Sequence, residues 1–185
     1  MLIQMSLMKS NFFLCTLLLG SLLTFSQSNN AINTSGDVLL FALPIAAAGS
    51  TLIIKDKEGS TQFLKGFVLN QAITQGLKLV VDKRRPDGSN TNSFPSGHTS
   101  STFQAATFIQ MRYGLEYGIP AYLLASYTGF TRIYTKKHYF LDVLAGAVIG
   151  IGSTYLFTTP YQKEHMELTL SNNENNYLVG FKYKF

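Results

Sequence analysis

Apolar residues recur along the chain in long stretches that alternate with shorter polar segments. Residues 37–54 form an apolar stretch that a charged segment follows, which predicts a first helix and its exit loop. Residues 62–81 interleave apolar and polar positions at helical spacing and predict an amphipathic second helix. Residues 82–94 show no periodicity and many turn-forming residues. We therefore expect a loop there that is long enough to be functional.

Three more helices are predicted after this loop. The third begins near Pro95, because proline is favoured in the first turn of a helix, and ends before Gly114. The fourth covers about 115–130 and has Pro120 as a kink. The fifth covers 139–157 and contains a run of small residues, which suits close packing against a neighbouring helix.

The two ends of the chain differ from this helical part. Residues 1–28 contain an apolar run of signal-peptide length and then small, polar residues, which predicts a cleavable signal peptide or an N-terminal anchor. Residues 161–185 alternate apolar and polar positions around a turn and predict a short C-terminal β-hairpin. The predicted fold class is all-α: a bundle of about five helices over residues 37–160, embedded in a membrane and followed by the hairpin.

Composition narrows the classes of partner. Charged residues make up only 14% of the chain and aromatic residues 13%, which favours contact with lipid or a lipid-like substrate. The net charge of +5 is modest and the basic residues form no continuous stripe, so no nucleic-acid partner is expected. The single cysteine, Cys15, excludes an internal disulfide and cannot alone form a thiolate metal site.

Polar residues with chemical potential gather at helix ends beside the two long connections of the bundle. If the helices alternate in direction, the loops after the second and fourth helices lie on the same side, so these residues share one opening. The three clusters are Lys78 with Arg85-Pro86, Pro95-Ser96-Gly97-His98, and Arg132 with His138 and Asp142.

This set of residues suits the binding of phosphate. Arg85 and Arg132 offer planar forks that match phosphate oxygens, and Lys78 adds a point charge. Ser96 and Gly97 lie at a helix start, where backbone N–H groups and the positive end of the dipole favour an anion. Such fixed cations and donors can stabilise phosphoryl transfer, so we expect neither a metal nor another cofactor.

Two histidines can supply the nucleophile and the acid. His138 and Asp142 are spaced i, i+4, so the carboxylate can accept a hydrogen bond from one ring nitrogen and leave the other free to attack. His98 can protonate the leaving oxygen and later take a proton from water. These roles predict a bell-shaped rate profile that is highest at mildly acidic to neutral pH.

The spacing of these residues resembles the three-part signature of the type 2 phosphatidic acid phosphatase superfamily, which also contains bacterial acid phosphatases and vanadium haloperoxidases. One departure is Thr131, which stands where the family pattern usually has serine and keeps the hydroxyl. The resemblance implies a helical bundle with His138 as the nucleophile, Asp142 as its partner and His98 as the general acid. It also implies a set of phosphate ligands, namely Lys78, Arg85, Ser96, Gly97 and Arg132.

Other conspicuous residues receive structural interpretations. We assign Lys83 and Arg84 to the surface, and Lys136 and Lys137 to solvent or to anionic headgroups. The glycines of the fifth helix, Gly146, Gly150 and Gly152, are interpreted as packing positions, because no strand precedes them as in a phosphate-binding loop.

The sequence thus predicts a metal-independent phosphatase that hydrolyses a phosphate monoester or pyrophosphate through a phosphohistidine. The expected partner is a phosphorylated lipid or an isoprenyl pyrophosphate, with no obligate protein partner. The expected location is the inner membrane, with the site facing the periplasm. A soluble periplasmic acid phosphatase of broad specificity remains an alternative, as do a vanadate haloperoxidase and an inactive envelope protein.

Overall fold

The computed structural model describes residues 29–161 together with two later strands. The predicted signal peptide or anchor over residues 1–28 lies outside the described residues. The chain divides into two compact units, Met1–Ala31 and Ile32–Phe185. Every contact discussed below lies within the second unit.

The described part of the chain forms a bundle of five helices, which confirms the predicted all-α fold. Three boundaries differ from prediction by four residues or more. The second helix begins at Lys57, five residues before the predicted start at Gln62. The first helix begins well before Asp37, because a polar segment that resembles a loop in sequence is helical, and the fourth continues beyond Phe130. The helices are α1 (Asn29–Ile53), α2 (Lys57–Val80), α3 (Gly97–Tyr113), α4 (Leu115–Tyr134) and α5 (Phe140–Tyr155).

The helix ends follow local capping chemistry. Asp56 begins α2 by accepting a hydrogen bond of 2.8 Å from the backbone N–H of Gly59. Ser96 caps α3 through its hydroxyl, which accepts from the N–H of Thr99 at 3.4 Å. Gly114 separates α3 from α4 with a φ of +106°, a conformation that other residues rarely adopt. The loop that carries Arg85 therefore lies between two firmly defined helices.

The bundle is polar inside and apolar outside to an unusual degree. Helix α3 packs against α2, α4 and α5, yet its buried positions are mostly hydroxyl and amide side chains such as Thr102, Gln104 and Thr107. Large apolar side chains on α1 and α4 are exposed, for example Phe41 (65%) and Leu123 (67%). An outward apolar surface of this extent is typical of a protein that contacts lipid.

Helix α1 is long and apolar enough to cross a bilayer. Its 25 residues have a mean hydropathy of 1.7 in their most apolar window. Helix α5 is also apolar but has only 16 residues. Among the residues that the structure describes, α1 is the one helix that is both long enough and apolar enough to span a membrane, by length and composition.

Helix α5 approaches α3 closely at two of its glycines. A Cβ atom at Gly146 would lie 2.5 Å from the carbonyl oxygen of Ser96, and one at Gly150 would overlap the carbonyl oxygen of Ser100. The packing role predicted for these two glycines is therefore confirmed. The same prediction is wrong for Gly152, because no neighbouring atom lies within 4 Å of a Cβ built there.

The C-terminal part contains the strands β1 (Met166–Asn173) and β2 (Asn176–Tyr183). They pair antiparallel, with Met166 opposite Tyr183 and Asn173 opposite Asn176.

Candidate active site

The two loops predicted to share one opening lie against each other. The backbone N–H of Asp87 donates to the carbonyl of Lys136 at 3.0 Å. The ammonium of Lys137 lies 2.8 Å from the carboxylate of Asp87 and holds the pKa of that carboxyl well below its usual range. These contacts join the α2–α3 loop to the α4–α5 loop, so the residues of the three sequence clusters meet at one end of the bundle.

A cavity of about 700 Å³ opens at this end. Five residues predicted for the site line it: Lys78, Arg85, Gly97, His98 and His138. Apolar residues of α1 and α2 continue the same cavity along the bundle. The sequence clusters therefore border a single space that is large enough for a phosphate group and part of a larger molecule.

His138 lies in the α4–α5 loop and is almost fully buried. Its Nδ1 is 2.6 Å from the carbonyl oxygen of Ser93, and a carbonyl can only accept, so Nδ1 carries the proton. The lone pair is then on Nε2. Burial lowers the pKa of His138 to about 4, and the positive charges of Arg85 and Lys78 add to this effect. The ring is therefore neutral and able to act as a nucleophile at neutral pH.

Asp142 does not make the hydrogen bond to His138 that the i, i+4 spacing predicted. The carboxylate is 4.0 Å from His138 Nδ1, because the Ser93 carbonyl occupies that nitrogen. Asp142 instead accepts from Lys83 Nζ and the Ser93 hydroxyl, both at 2.6 Å, and from the N–H of Tyr139 at 2.9 Å. It reaches His138 indirectly, through Ser93.

Lys83 is consequently not the freely solvated residue that the sequence indicated. Its ammonium binds Asp142 and lies 4.8 Å from the centre of the Tyr139 ring. Neither Lys83 nor Ser93 was predicted for the site. The sequence offers a weak signal for both, since they lie in the same irregular loop as Arg85.

His98 pairs with a carboxylate that the sequence analysis missed. Its Nε2 is 2.8 Å from Oδ1 of Asp37 on α1, and the same oxygen accepts from Arg132 at 2.8 Å. Asn33 donates to the other oxygen of Asp37 at 2.9 Å. A single carboxylate in an apolar helix was the available signal, because charges in such helices are costly unless they serve a site.

Arg132 is held by protein groups on several sides. Besides Asp37, its guanidinium donates to the Asn33 carbonyl at 2.6 Å and to the Thr131 hydroxyl at 3.1 Å. Gly36 makes this approach possible, because a Cβ there would overlap the guanidinium. Arg132 is not among the residues that line the cavity. Arg132 is linked to His98 through the shared Oδ1 of Asp37. Its role as a phosphate ligand stays a prediction.

The remaining predicted phosphate ligands differ in how they face the cavity. The Ser96 side chain is fully buried and serves as the cap of α3. Lys78 donates to the carbonyl of Asn92 at 2.9 Å, and burial lowers its pKa to about 8. The Nε of Arg85 is buried and lacks a hydrogen-bond acceptor among the described residues. Arg85 and His138 line the same cavity, so a guanidinium with an unpaired nitrogen is suited to an incoming anion there.

Known proteins share this arrangement at the level of sequence. The family model of the PAP2 superfamily matches residues 59–166. A lipid A 4'-phosphatase of Helicobacter pylori is 32% identical over 166 residues, covering 81% of this chain and 83% of that protein. A lipid A 1-phosphatase of Porphyromonas gingivalis is 39% identical over 89 residues, which are 46% of this chain but only 20% of that protein.

A solved structure shares the fold. The crystal structure of LpxE from Aquifex aeolicus superposes with a TM-score of 0.61 at 24% identity, covering 76% of this chain and 92% of that one. The family model covers more than half of this chain, and the matched region contains all three motifs. The chain therefore belongs to the PAP2 superfamily, as its motif spacing predicted.

Proposed function

We propose that this chain is a lipid phosphatase that releases phosphate from a membrane lipid through a phosphohistidine intermediate. The observation that supports this best is the shape of the cavity. Two histidines and two cations line it together with the polar Gln71, Gln75 and Ser101, and most of the other lining residues are apolar. A molecule with a phosphate headgroup and a long hydrocarbon chain matches both parts.

The apolar part of the cavity lies between α1 and α2. Leu40, Phe41 and Ile45 line it from α1, and Phe63 and Phe67 line it from α2. Phe41 and Ile45 are also largely exposed at the outer surface of the bundle. A lipid chain could therefore reach the cavity from the side of the bundle without leaving an apolar environment.

In the first chemical step, Nε2 of His138 attacks the phosphorus atom. The N–P bond forms as the bond from phosphorus to the ester oxygen breaks, and His98 donates a proton to that oxygen. Lys78 and Arg85 stabilise the charge on the phosphoryl oxygens. The Ser93 carbonyl accepts from Nδ1 throughout and stabilises the positive charge that develops on the His138 ring.

In the second step, water hydrolyses the phosphohistidine. His98, now neutral, takes a proton from the water as its oxygen attacks phosphorus. The N–P bond breaks and returns its electron pair to Nε2 of His138. Inorganic phosphate leaves, and both histidines regain their starting protonation states.

The named relatives indicate a phosphorylated glycolipid as the first substrate to test. The Helicobacter pylori and Porphyromonas gingivalis relatives are named as phosphatases of lipid A, and the former matches most of this chain. We place the protein in a membrane of the cell envelope, with the catalytic opening toward the periplasm. The apolar α1 and the exposed apolar side chains support the membrane location.

The test is phosphate release by the full-length protein in detergent, with lipid A and with a water-soluble phosphate monoester, in the presence of EDTA. We expect faster release from the lipid, unaffected by EDTA. His138→Ala should lower the rate by roughly a thousandfold or more, since it removes the nucleophile. His165→Ala is the control, because it changes the one histidine outside the motifs.

Each other result has a defined meaning. Activity that depends on a divalent metal would refute the metal-free mechanism. Full activity of His138→Ala would refute the phosphohistidine. Equal cleavage of the soluble ester would favour a broad-specificity acid phosphatase over a lipid phosphatase.

A further inference from the structure

The cations that suit this site to phosphate also disfavour the protonated form of His98, its proposed general acid. His98 must carry a proton when the leaving oxygen departs, but burial lowers its pKa, and the charges of Arg132 and Arg85 lower it further. Lys78 lines the same cavity. These groups therefore all oppose the protonated form of His98 that the departure of the leaving oxygen requires.

Asp37 is the acidic group that faces His98 within this cluster. It projects from α1, whereas His98 lies in the first turn of α3 and Arg132 in the last turn of α4. Its Oδ1 lies 2.8 Å from both His98 Nε2 and Arg132 Nη1, so one oxygen contacts the acid and a neighbouring cation together. Its carboxylate opposes the effect of burial and of the guanidinium groups on the pKa of His98.

We propose that Asp37 is a positioning residue for the phosphatase reaction, which fixes the ring of His98 and keeps it available as the proton donor. The inference rests on the proposed function of the site. The carboxylate accepts the hydrogen bond from Nε2–H, so Nδ1, the other ring nitrogen, exchanges the proton with the substrate oxygen and then with water. The second oxygen of Asp37 is held by Asn33, which keeps the carboxylate in place.

Asp37 also gives Arg132 an indirect role in catalysis, which the sequence motif alone does not reveal. Arg132 is held by Asp37, Asn33 and Thr131 and does not line the cavity. Its charge orients Asp37, which in turn orients His98. A series of contacts from Arg132 on α4 through Asp37 on α1 therefore controls His98 on α3.

The test is Asp37→Asn in the full-length protein, because asparagine keeps the size and an acceptor oxygen but removes the charge. His98 should lose its proton at lower pH, so the alkaline limb of kcat/KM should move toward lower pH. At about pH 8 the variant should be roughly tenfold slower than the parent protein, with a smaller loss at about pH 5. Asp37→Glu, which restores the charge, should move the limb back.

Asp82→Asn is the matched control, since it removes an exposed carboxylate from the α2–α3 loop at the same end of the bundle. It should leave the profile unchanged. The ionisation of the substrate phosphate is common to all variants, so a shift confined to Asp37→Asn belongs to the protein. A profile of Asp37→Asn that coincides with that of the parent protein would overturn the proposal, even if the overall rate falls.

A measurement without substrate separates this proposal from the proposed function. The chain has three histidines, so the ring signals of isotope-labelled protein can be assigned with His98→Gln and His138→Gln. The NMR titration of His98 should move to lower pH in Asp37→Asn. Absence of that shift would refute the role of Asp37, whereas absence of phosphate release by the parent protein would refute the proposed function alone.

Discussion

Lys83 Nζ lies 2.6 Å from Oδ1 of Asp142, a carboxylate whose side chain is completely buried. The remaining oxygen of Asp142 accepts from Ser93 and from the N–H of Tyr139. Ser93 in turn accepts from His138 through its carbonyl. Asp142 therefore organises the loop that orients the nucleophile, and Lys83 neutralises the charge of that buried carboxylate.

Lys83→Met should destabilise the protein and slow the reaction. Breaking a fully buried ion pair costs about 3–5 kcal/mol, but the Lys83 side chain is 34% exposed, so we expect about 1–2 kcal/mol. Arg84→Met is the control, because it removes a neighbouring charge that is exposed. Unfolding in detergent and kcat are the measurements. Equal effects of the two substitutions would contradict a special role for Lys83.

The pH dependence of kcat/KM should have its acid limb near pH 4. His138 attacks only when neutral, and its pKa is lowered to about 4 by burial and by Arg85 and Lys78. As pH falls through that value the ring gains a proton and the rate declines, by about tenfold per further unit. The acid limb should therefore not lie near pH 6.5, the pKa of an ordinary imidazole. Initial rates between about pH 3 and about pH 9 test this prediction. An acid limb near pH 6.5 that arises from the protein would contradict it.

The sequence predicted the bundle and five of the fifteen residues that line the cavity, because both depend on local pattern. Apolar periodicity marked the helices, and the spacing of Lys78, Arg85, His98 and His138 marked a shared opening. Asp37 was not predicted for the site because the two site residues that it contacts, His98 and Arg132, lie 61 and 95 positions away along the chain. No local pattern records such a contact.

The predicted bond between His138 and Asp142 was wrong for a related reason. The i, i+4 rule applies to two residues in one helix, but α5 begins at Phe140, after His138. In the loop, Nδ1 of His138 donates a hydrogen bond to the Ser93 carbonyl instead. Ser93 lies 45 positions before His138, so only the fold brings them together.

The ion pair between Arg112 and Asp56 should contribute to stability and not to chemistry. Two guanidinium nitrogens donate to the carboxylate at 2.6 and 2.7 Å, and both side chains are almost fully buried. Asp56→Asn removes the buried carboxylate charge that binds Arg112 and should lower the unfolding free energy by about 3–5 kcal/mol. The folded variant should keep the parent kcat at low temperature. A large loss of kcat without loss of stability would contradict this assignment.

The pH dependence of stability should reveal the same ion pair. Burial would raise the pKa of Asp56, but the hydrogen bonds from Arg112 and Gly59 outweigh burial, and the net effect lowers the pKa. The resulting stabilisation is present above the unfolded pKa of about 3.9 and is lost as pH falls through the folded value. Below that value, the stabilities of the parent protein and Asp56→Asn should converge in denaturant unfolding. A difference that stays constant with pH would show that the charge of Asp56 is not responsible.

Two glycines on α5 provide a test of how closely this helix must approach α3. A methyl group at Gly150 would overlap the Ser100 carbonyl and lie 2.8 Å from the backbone nitrogen of Gln104, so the helices must separate. Gly150→Ala should therefore cost about 2–3 kcal/mol, despite the better helix propensity of alanine. Gly152→Ala meets no atom within 4 Å and should be neutral or stabilising by up to about 1 kcal/mol. Because α5 carries Asp142 and α3 carries His98, Gly150→Ala should also lower kcat. Thermal unfolding and phosphate release measured together decide the matter, and equal stability of the two variants would show that α5 and α3 are not in close contact.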